Sequence, residues 1–237
     1  MTLFDQELLL RRKRRYPDPY RVLYMDMETL RAGKIRNWDN ADGTRDGTIN
    51  GMTIAGTGMP AKSGFFDGND YVTIGAFGLS GTALTFAAWI RCAQNATITQ
   101  TFIGDNAGST TVGWLHIYRD AAQDNIKLAY ANGSAVAYAN AASFFTGYDN
   151  TWVHATVVCD YAGATCKFYR NGTLHTNAGL SGTPVFPSTS RTRYLGAYNS
   201  TPSYPLTNGY IDEVQLWTRA LTDAEVLAQS RLLPARG

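Results

Sequence analysis

Gly209-Tyr210-Ile211-Asp212-Glu213-Val214-Gln215-Leu216-Trp217, running into Arg219-Ala220-Leu221-Thr222-Asp223-Ala224-Glu225-Val226, is the stretch on which the fold turns. Its first nine residues read as a strand. Thr222 followed three residues later by Glu225 forms a capping box, and Leu221 is placed to staple onto Val226. A short helix is therefore expected from Asp223 to about Leu232, stopping before Pro234 and covering an open end of the strands.

Towards the N-terminus, residues 152–170 read as a hairpin. Ala162-Gly163 separates two β-rich runs, and Asn171-Gly172 turns the chain again. A turn centred there sets Cys159 opposite Cys166, as buried thiols that join only if oxidised. Further strands are expected near 21–30, 64–66, 71–74, 84–92, 99–104, 112–118, 126–131, 135–140 and 193–197. Leu84, Phe86, Ala88 and Ile90 alternate onto one face of theirs. Short runs divided by Asn, Gly and Asp turns point to an antiparallel sandwich or barrel. Trp89, Trp152 and Trp217 bring apolar area suited to a core between two sheets.

Composition agrees with strands. The chain has 237 residues, 44% hydrophobic and 17% charged, with 23 Gly, 14 Tyr and only four Glu. That balance excludes a disordered chain or a coiled coil. No apolar run approaches the roughly 20 residues of a membrane span. Pro17 and Pro19 set off a basic, apolar arm (residues 1–20), with a helix expected over 2–14. The arm holds five of the 21 bases (Arg11, Arg12, Lys13, Arg14, Arg15) and three of the 19 acids, leaving 16 of each in residues 21–237. A neutral body argues against a broad nucleic-acid face, so any such contact is confined to the arm and would weaken steeply with salt. Leu8, Leu9 and Leu10 beside those five bases suit docking onto neighbouring protein subunits, with apolar anchors and arginines that pair with carboxylates. Three cysteines and an N-terminus unlike a secretory signal favour synthesis in the cytoplasm with reduced thiols. The organisation expected is an arm (1–20), one body (21–231) and a tail (232–237).

Three segments carry a family resemblance. They are Phe66-Asp67-Gly68-Asn69-Asp70-Tyr71-Val72 with Leu84-Thr85-Phe86-Ala87-Ala88-Trp89-Ile90-Arg91, then Trp152-Val153-His154-Ala155 through Phe168-Tyr169-Arg170-Asn171-Gly172-Thr173-Leu174, and finally the stretch quoted first. In this order they resemble the laminin-G-like members of the concanavalin A-like jelly-roll superfamily, across roughly residues 21–231. The resemblance implies an all-β, two-sheet antiparallel jelly-roll sandwich, with the N-terminal arm and short C-terminal helix as additions. It implies less about activity, because such folds host lectins, adhesion modules, viral structural subunits and glycan enzymes. Related folds hold calcium near the first and last strands, which the resemblance places at Asp26 or Glu28 with Asp212. It implies no other cofactor.

Catalytic signals are weak. Glycan hydrolysis calls for two carboxylates flanking the scissile bond. The glutamates outside the arm, Glu28, Glu213 and Glu225, do not cluster, while Asp26-Met27-Glu28 sets two carboxylates on one face of a strand. His116, His154 and His175 accompany no Gly-x-Ser-x-Gly elbow, and no Walker or dinucleotide glycine pattern occurs. A non-catalytic interaction module is expected. One reading is a structural or decoration subunit of a large particle such as a phage virion, docked through its arm. The alternative is a carbohydrate-binding adhesion module. Sugar faces stack on aromatic rings, and Trp114, His116, Tyr118, Tyr194, Tyr198, Asn199 and Tyr204 supply the suitable groups.

Overall fold

Leu84, Phe86, Ala88 and Ile90 do share one buried face, and they mark the centre of a sandwich. The computed structural model describes residues 18–56, 62–94, 97–105, 112–121 and 123–231. The arm residues Leu8 to Arg15, the helix expected there and the tail 232–237 lie outside the described residues.

The first sheet has eight strands. Its order is β15 (Thr173–Gly179), β14 (Thr165–Arg170), β13 (Val153–Asp160), β8 (Ala83–Arg91), β17 (Gly209–Trp217), β6 (Ser63–Phe66) and β5 (Thr53–Ala55), with β1 (Arg21–Met25) also paired to β17. The second has nine. It runs β12 (Val136–Ala141), β11 (Ile126–Ala131), β10 (His116–Arg119), β9 (Gln100–Gly104), β16 (Arg191–Leu195), β7 (Tyr71–Phe77), β4 (Gly47–Asn50), β3 (Lys34–Ile35) and β2 (Leu30–Arg31). All pairings are antiparallel. Phe86, Val157, Phe168 and Leu216 from the first sheet share one core with Ile74, Phe102, Ile117 and Leu128 from the second. Burying each such side chain contributes about 1.5–3 kcal/mol.

The hairpin forms as expected, with Cys159 paired to Cys166 in register and both thiols free and buried. Its turn places the left-handed residue at Ala164 (φ 50°). Helix α1 (Asp223–Arg231) begins at the expected capping box: the Thr222 N–H donates to Glu225 Oε2 (2.8 Å) and the Glu225 N–H donates to Thr222 Oγ1 (3.3 Å).

Three expectations are corrected. The run 21–30 is not one strand: Met27 takes φ 55°, so the chain turns between β1 and β2 and the carboxylates of Asp26 and Glu28 do not share a strand face. The helix packs on the outer face of the first sheet, where Leu221 and Val226 cluster with Ala87, Val158, Tyr169 and Trp217, and not on an open end. The tryptophans are outside the inter-sheet core because alternation turns their neighbours Leu216, Ile90 and Val153 inward instead. Trp217 lies under this helical layer, Trp89 meets His154 edge-on (5.2 Å), and Trp152 is half-buried against Tyr210 (6.1 Å).

Candidate functional site

Two sequence segments meet on the outer face of the second sheet. The pleat turns Leu115 and Ile117 into the core, so His116 and Tyr118 face outward. The loop after β16 folds over β9: the Tyr198 N–H donates to Ser203 O (2.9 Å) and the Thr101 N–H donates to Tyr204 O (3.0 Å). Gly104 permits that approach, because a Cβ there would stand 3.0 Å from Tyr198 Cα.

The rings converge on His116. It stacks on Tyr118 (4.5 Å, 28°), lies 4.7 Å from Tyr198 and 6.3 Å from Tyr204, and its Nε2 is 3.0 Å from Thr101 Oγ1. Trp114 joins through Tyr198 at 6.4 Å. Burial holds His116 down to about 3, so the imidazole is neutral at neutral pH, and it pushes the Tyr198 phenol up to about 12. The site is thus uncharged at its centre, with flat apolar faces and hydroxyl edges. Such a surface accepts the C–H face of a sugar and hydrogen-bonds its rim.

Two expected residues stand apart from these rings. Tyr194 points to the same outer face but pairs with Tyr71 (6.0 Å). Asn199 works inside its own loop, where its Oδ1 accepts from Thr201 Oγ1 (3.3 Å) and the Ser203 N–H (3.2 Å). Tyr138 is an addition. Strand β12 buries Ala137, Ala139 and Ala141 and exposes Tyr138 and Asn140. Register carries Tyr138 through Ala129 to His116, and Asn140 through Lys127 to Tyr118. The small Ala129 therefore floors a trough between two aromatic walls. The alternation of residues 136–141 held that signal in the sequence.

The acidic residues gather elsewhere. Strand β17 is bordered by β6 over its first half and by β1 over its second, and Asp212 and Glu213 fall at the seam in a bulge, with Glu213 at φ 51°. Asp212 is fully buried. Its Oδ1 accepts the Glu213 N–H (2.8 Å), whereas its Oδ2 makes no hydrogen bond to the described residues. Burial, and then the nearby charges of Glu213, Glu28 and Asp26, push its carboxyl well above the usual carboxylate range. Glu213 accepts from the Tyr24 hydroxyl (2.9 Å).

Asp26 is committed differently. It accepts the N–H groups of Glu28 (3.2 Å) and Thr29 (2.8 Å), the Thr29 hydroxyl (2.6 Å) and the Trp38 indole N–H (3.0 Å). Those four donors use all its lone pairs, which makes it a turn cap. The open oxygen of Asp212 fits a hard cation in chemistry, and Glu28 is near enough for its charge to act on that carboxyl. Among the described residues, no three His, Cys, Asp or Glu side chains converge as a ready metal shell.

A family model described as the concanavalin A-like lectin/glucanases superfamily, of the laminin G type, matches residues 66–227. The chain belongs to that superfamily. Among solved structures, it is similar to domain 4 of an extracellular arabinanase from Geobacillus stearothermophilus in complex with arabinotriose. There the identity is 20%, the TM-score 0.63, and the match covers 81% of this chain and 91% of that one. It is also similar to a structure of botulinum neurotoxin type C, described as dependent on two ganglioside molecules for cell entry (10% identity, TM-score 0.64, 92% and 52% covered). The binding domain of Paraclostridial Mosquitocidal Protein 1 is a third (15%, 0.63, 91% and 52%). The chain spans about half the length of these two toxin chains. At such identities these superfamily likenesses concern the fold. No curated protein matches the chain.

Proposed function

We propose that this domain is a non-catalytic carbohydrate-binding module whose site is the outer face of the second sheet around His116. The observation that carries the reading is the meeting of Trp114, His116 and Tyr118 with Tyr198 and Tyr204, about 80 residues away in sequence, on a face that also exposes Tyr138. Tyr138 and Tyr204 are the exposed rings of the group, while His116 and Tyr118 are buried, and exposed aromatic side chains gathered on one face are suited to binding. The arabinotriose named for the similar arabinanase domain supports a saccharide ligand. A sugar ring would stack in the trough, with Asn140 and Lys127 bonding its hydroxyls. A glycan array probed with the full chain, with and without calcium, tests this. Saccharide hits lost in Tyr138→Ala support it, and an array without hits above background overturns it.

Calcium belongs to the same proposal as a structural ion. Asp212 and Glu28 would hold it, backbone and water oxygens would complete the shell, and the ion would supply the positive charge that the buried carboxyl of Asp212 lacks.

A second reading, docking into a larger particle, draws on the root of the arm. Asp18 accepts from Arg219 Nη2 (2.8 Å), and Tyr20 O accepts the Thr218 N–H (2.8 Å). Residues 18–20, at the root of the arm, are therefore clamped beside β17. Removing residues 1–17 should leave a folded domain that no longer joins its assembly. Normal incorporation of the truncated chain would refute this reading.

A further inference from the structure

A cleft of about 300 Å³ opens between the β14–β15 turn and the segment after β12, and none of the aromatic residues around His116 lines it. It is lined by Tyr148, Arg170, Asn171, Thr173, Leu174 and His175. None is acidic, and Arg170 and His175 are basic in type. The volume is at the small end of ligand sites.

The polar groups of the cleft are held in place before any ligand arrives. Arg170 Nη1 donates to Phe144 O (2.9 Å) and Ser143 O (3.5 Å), and its guanidinium lies 4.7 Å from the centre of the Tyr148 ring. Those contacts fix one edge of the guanidinium. Its Nε and Nη2 edge makes no hydrogen bond to the described residues, and no carboxylate among them pairs with it. That edge is the fork which binds an oxyanion through two parallel hydrogen bonds.

The neighbours suit hydroxyl groups. His175 Nε2 donates to Ala142 O (2.9 Å), and in the neutral imidazole that leaves Nδ1 as an acceptor. Asn171 Oδ1 accepts the His154 N–H (2.9 Å), so its amide nitrogen remains a donor. Thr173 adds a hydroxyl, and exposed Leu174 supplies an apolar wall.

We infer that this cleft binds an acidic saccharide, with a carboxylate or sulfate on the free edge of Arg170 and ring hydroxyls on Asn171, Thr173 and His175. The inference does not rest on the site around His116. An uncompensated arginine favours an anion, and the mixed donors and acceptors beside it favour a sugar over a bare ion.

The test is an NMR titration of the full isotope-labelled chain with glucuronate, glucose 6-sulfate, glucose and inorganic sulfate in turn. Glucuronate or glucose 6-sulfate should shift the amides of Asn171, Thr173 and His175 and the Arg170 Nε–H saturably, and glucose should not. The two acidic sugars separate a carboxylate from a sulfate as the preferred anion. Arg170→Gln should weaken binding at least tenfold, whereas Leu30→Ala, at an exposed position on the far edge strand of the second sheet, should leave it unchanged. Should Arg170→Gln fail to fold by thermal melting, His175→Phe replaces it, since its ring can still pack against Phe144 but offers no acceptor; a several-fold loss is then expected. No saturable shift with either acidic sugar, equal binding of glucose, or inorganic sulfate binding as tightly as both sugars would overturn the inference.

Discussion

Tyr138 stands opposite His116 across the single methyl group of Ala129, on three successive strands of the second sheet. Adjacent strands lie about 4.8 Å apart, so the space between the two backbones that carry the rings is roughly 10 Å, and the Ala129 methyl group stands in it. Filling it with Ala129→Phe should abolish saccharide binding. Tyr138→Ala should weaken binding about tenfold, or 1.4 kcal/mol. Tyr138 is 57% exposed, so unfolding should change by less than about 0.5 kcal/mol. Isothermal titration and urea melts of both variants check this. Undiminished binding in Ala129→Phe would place the site elsewhere.

Two buried imidazoles set the acid limb of stability. Burial holds His116 down to about 3 and His154 down to about 4, against an ordinary value of 6.5. A base with a depressed folded value contributes stability that is complete above 6.5 and is lost as pH falls through the folded value. Urea denaturation should therefore show the unfolding free energy declining from pH 7 to pH 4, with a shallower decline in His154→Phe. Because His116 stays neutral across that range, saccharide affinity should be level between pH 5 and 8. An affinity that titrates near pH 6.5 would contradict the neutral imidazole.

Asp212 acts in the opposite sense. Its carboxyl is raised above the unfolded value of 3.8, so its contribution is complete below 3.8 and is lost as pH rises through the folded value. Asp212→Asn is expected to raise the melting temperature at pH 7 without calcium and to leave it unchanged at pH 3. Calcium should raise the melting temperature of the parent chain and not of this variant. Scanning calorimetry in calcium and in chelator separates the cases. A variant that melts lower at pH 7 would count against the unpartnered oxygen as a source of strain.

Arg119 is a buried charge that is met on several sides. Its Nη2 donates to Asp124 (2.7 Å) and Asp149 (2.6 Å), and its Nη1 donates to Cys92 O (3.1 Å). Arg119→Met should cost about 3 kcal/mol, because the carboxylates and the carbonyl lose their donor. Lys127→Met, beside the partly exposed Asp120, should cost less than about 1 kcal/mol. Equal losses in the two variants would show that burial does not decide the difference.

What the sequence disclosed was chiefly local. Thr222 and Glu225 predicted their reciprocal bonds because capping is settled within one turn of chain. Cys159 and Cys166 could be paired because a hairpin has a short, countable register. Trp217 was assigned to the wrong layer, since alternation separates two faces of a strand without saying which one meets the other sheet and which one a helix covers. Asp26-Met27-Glu28 misled because the left-handed turn at Met27 carries no glycine to announce it. His116, Tyr118, Tyr198 and Tyr204 were named from composition, but the trough became visible only when β11 and β12 set Ala129 and Tyr138 beside them. Arg170 offered no signal at all, because its free edge is defined by carbonyls of a distant loop.

Pairing of β1 with β17, locked by Asp18 and Arg219, brings the start of the folded body and its last strand to one corner of the first sheet. The trough lies on the far side of the sandwich. Asp18 and the trough therefore belong to opposite sheets, so a tether fixed at that corner would leave the trough open, like a hand held at the wrist with its palm outward.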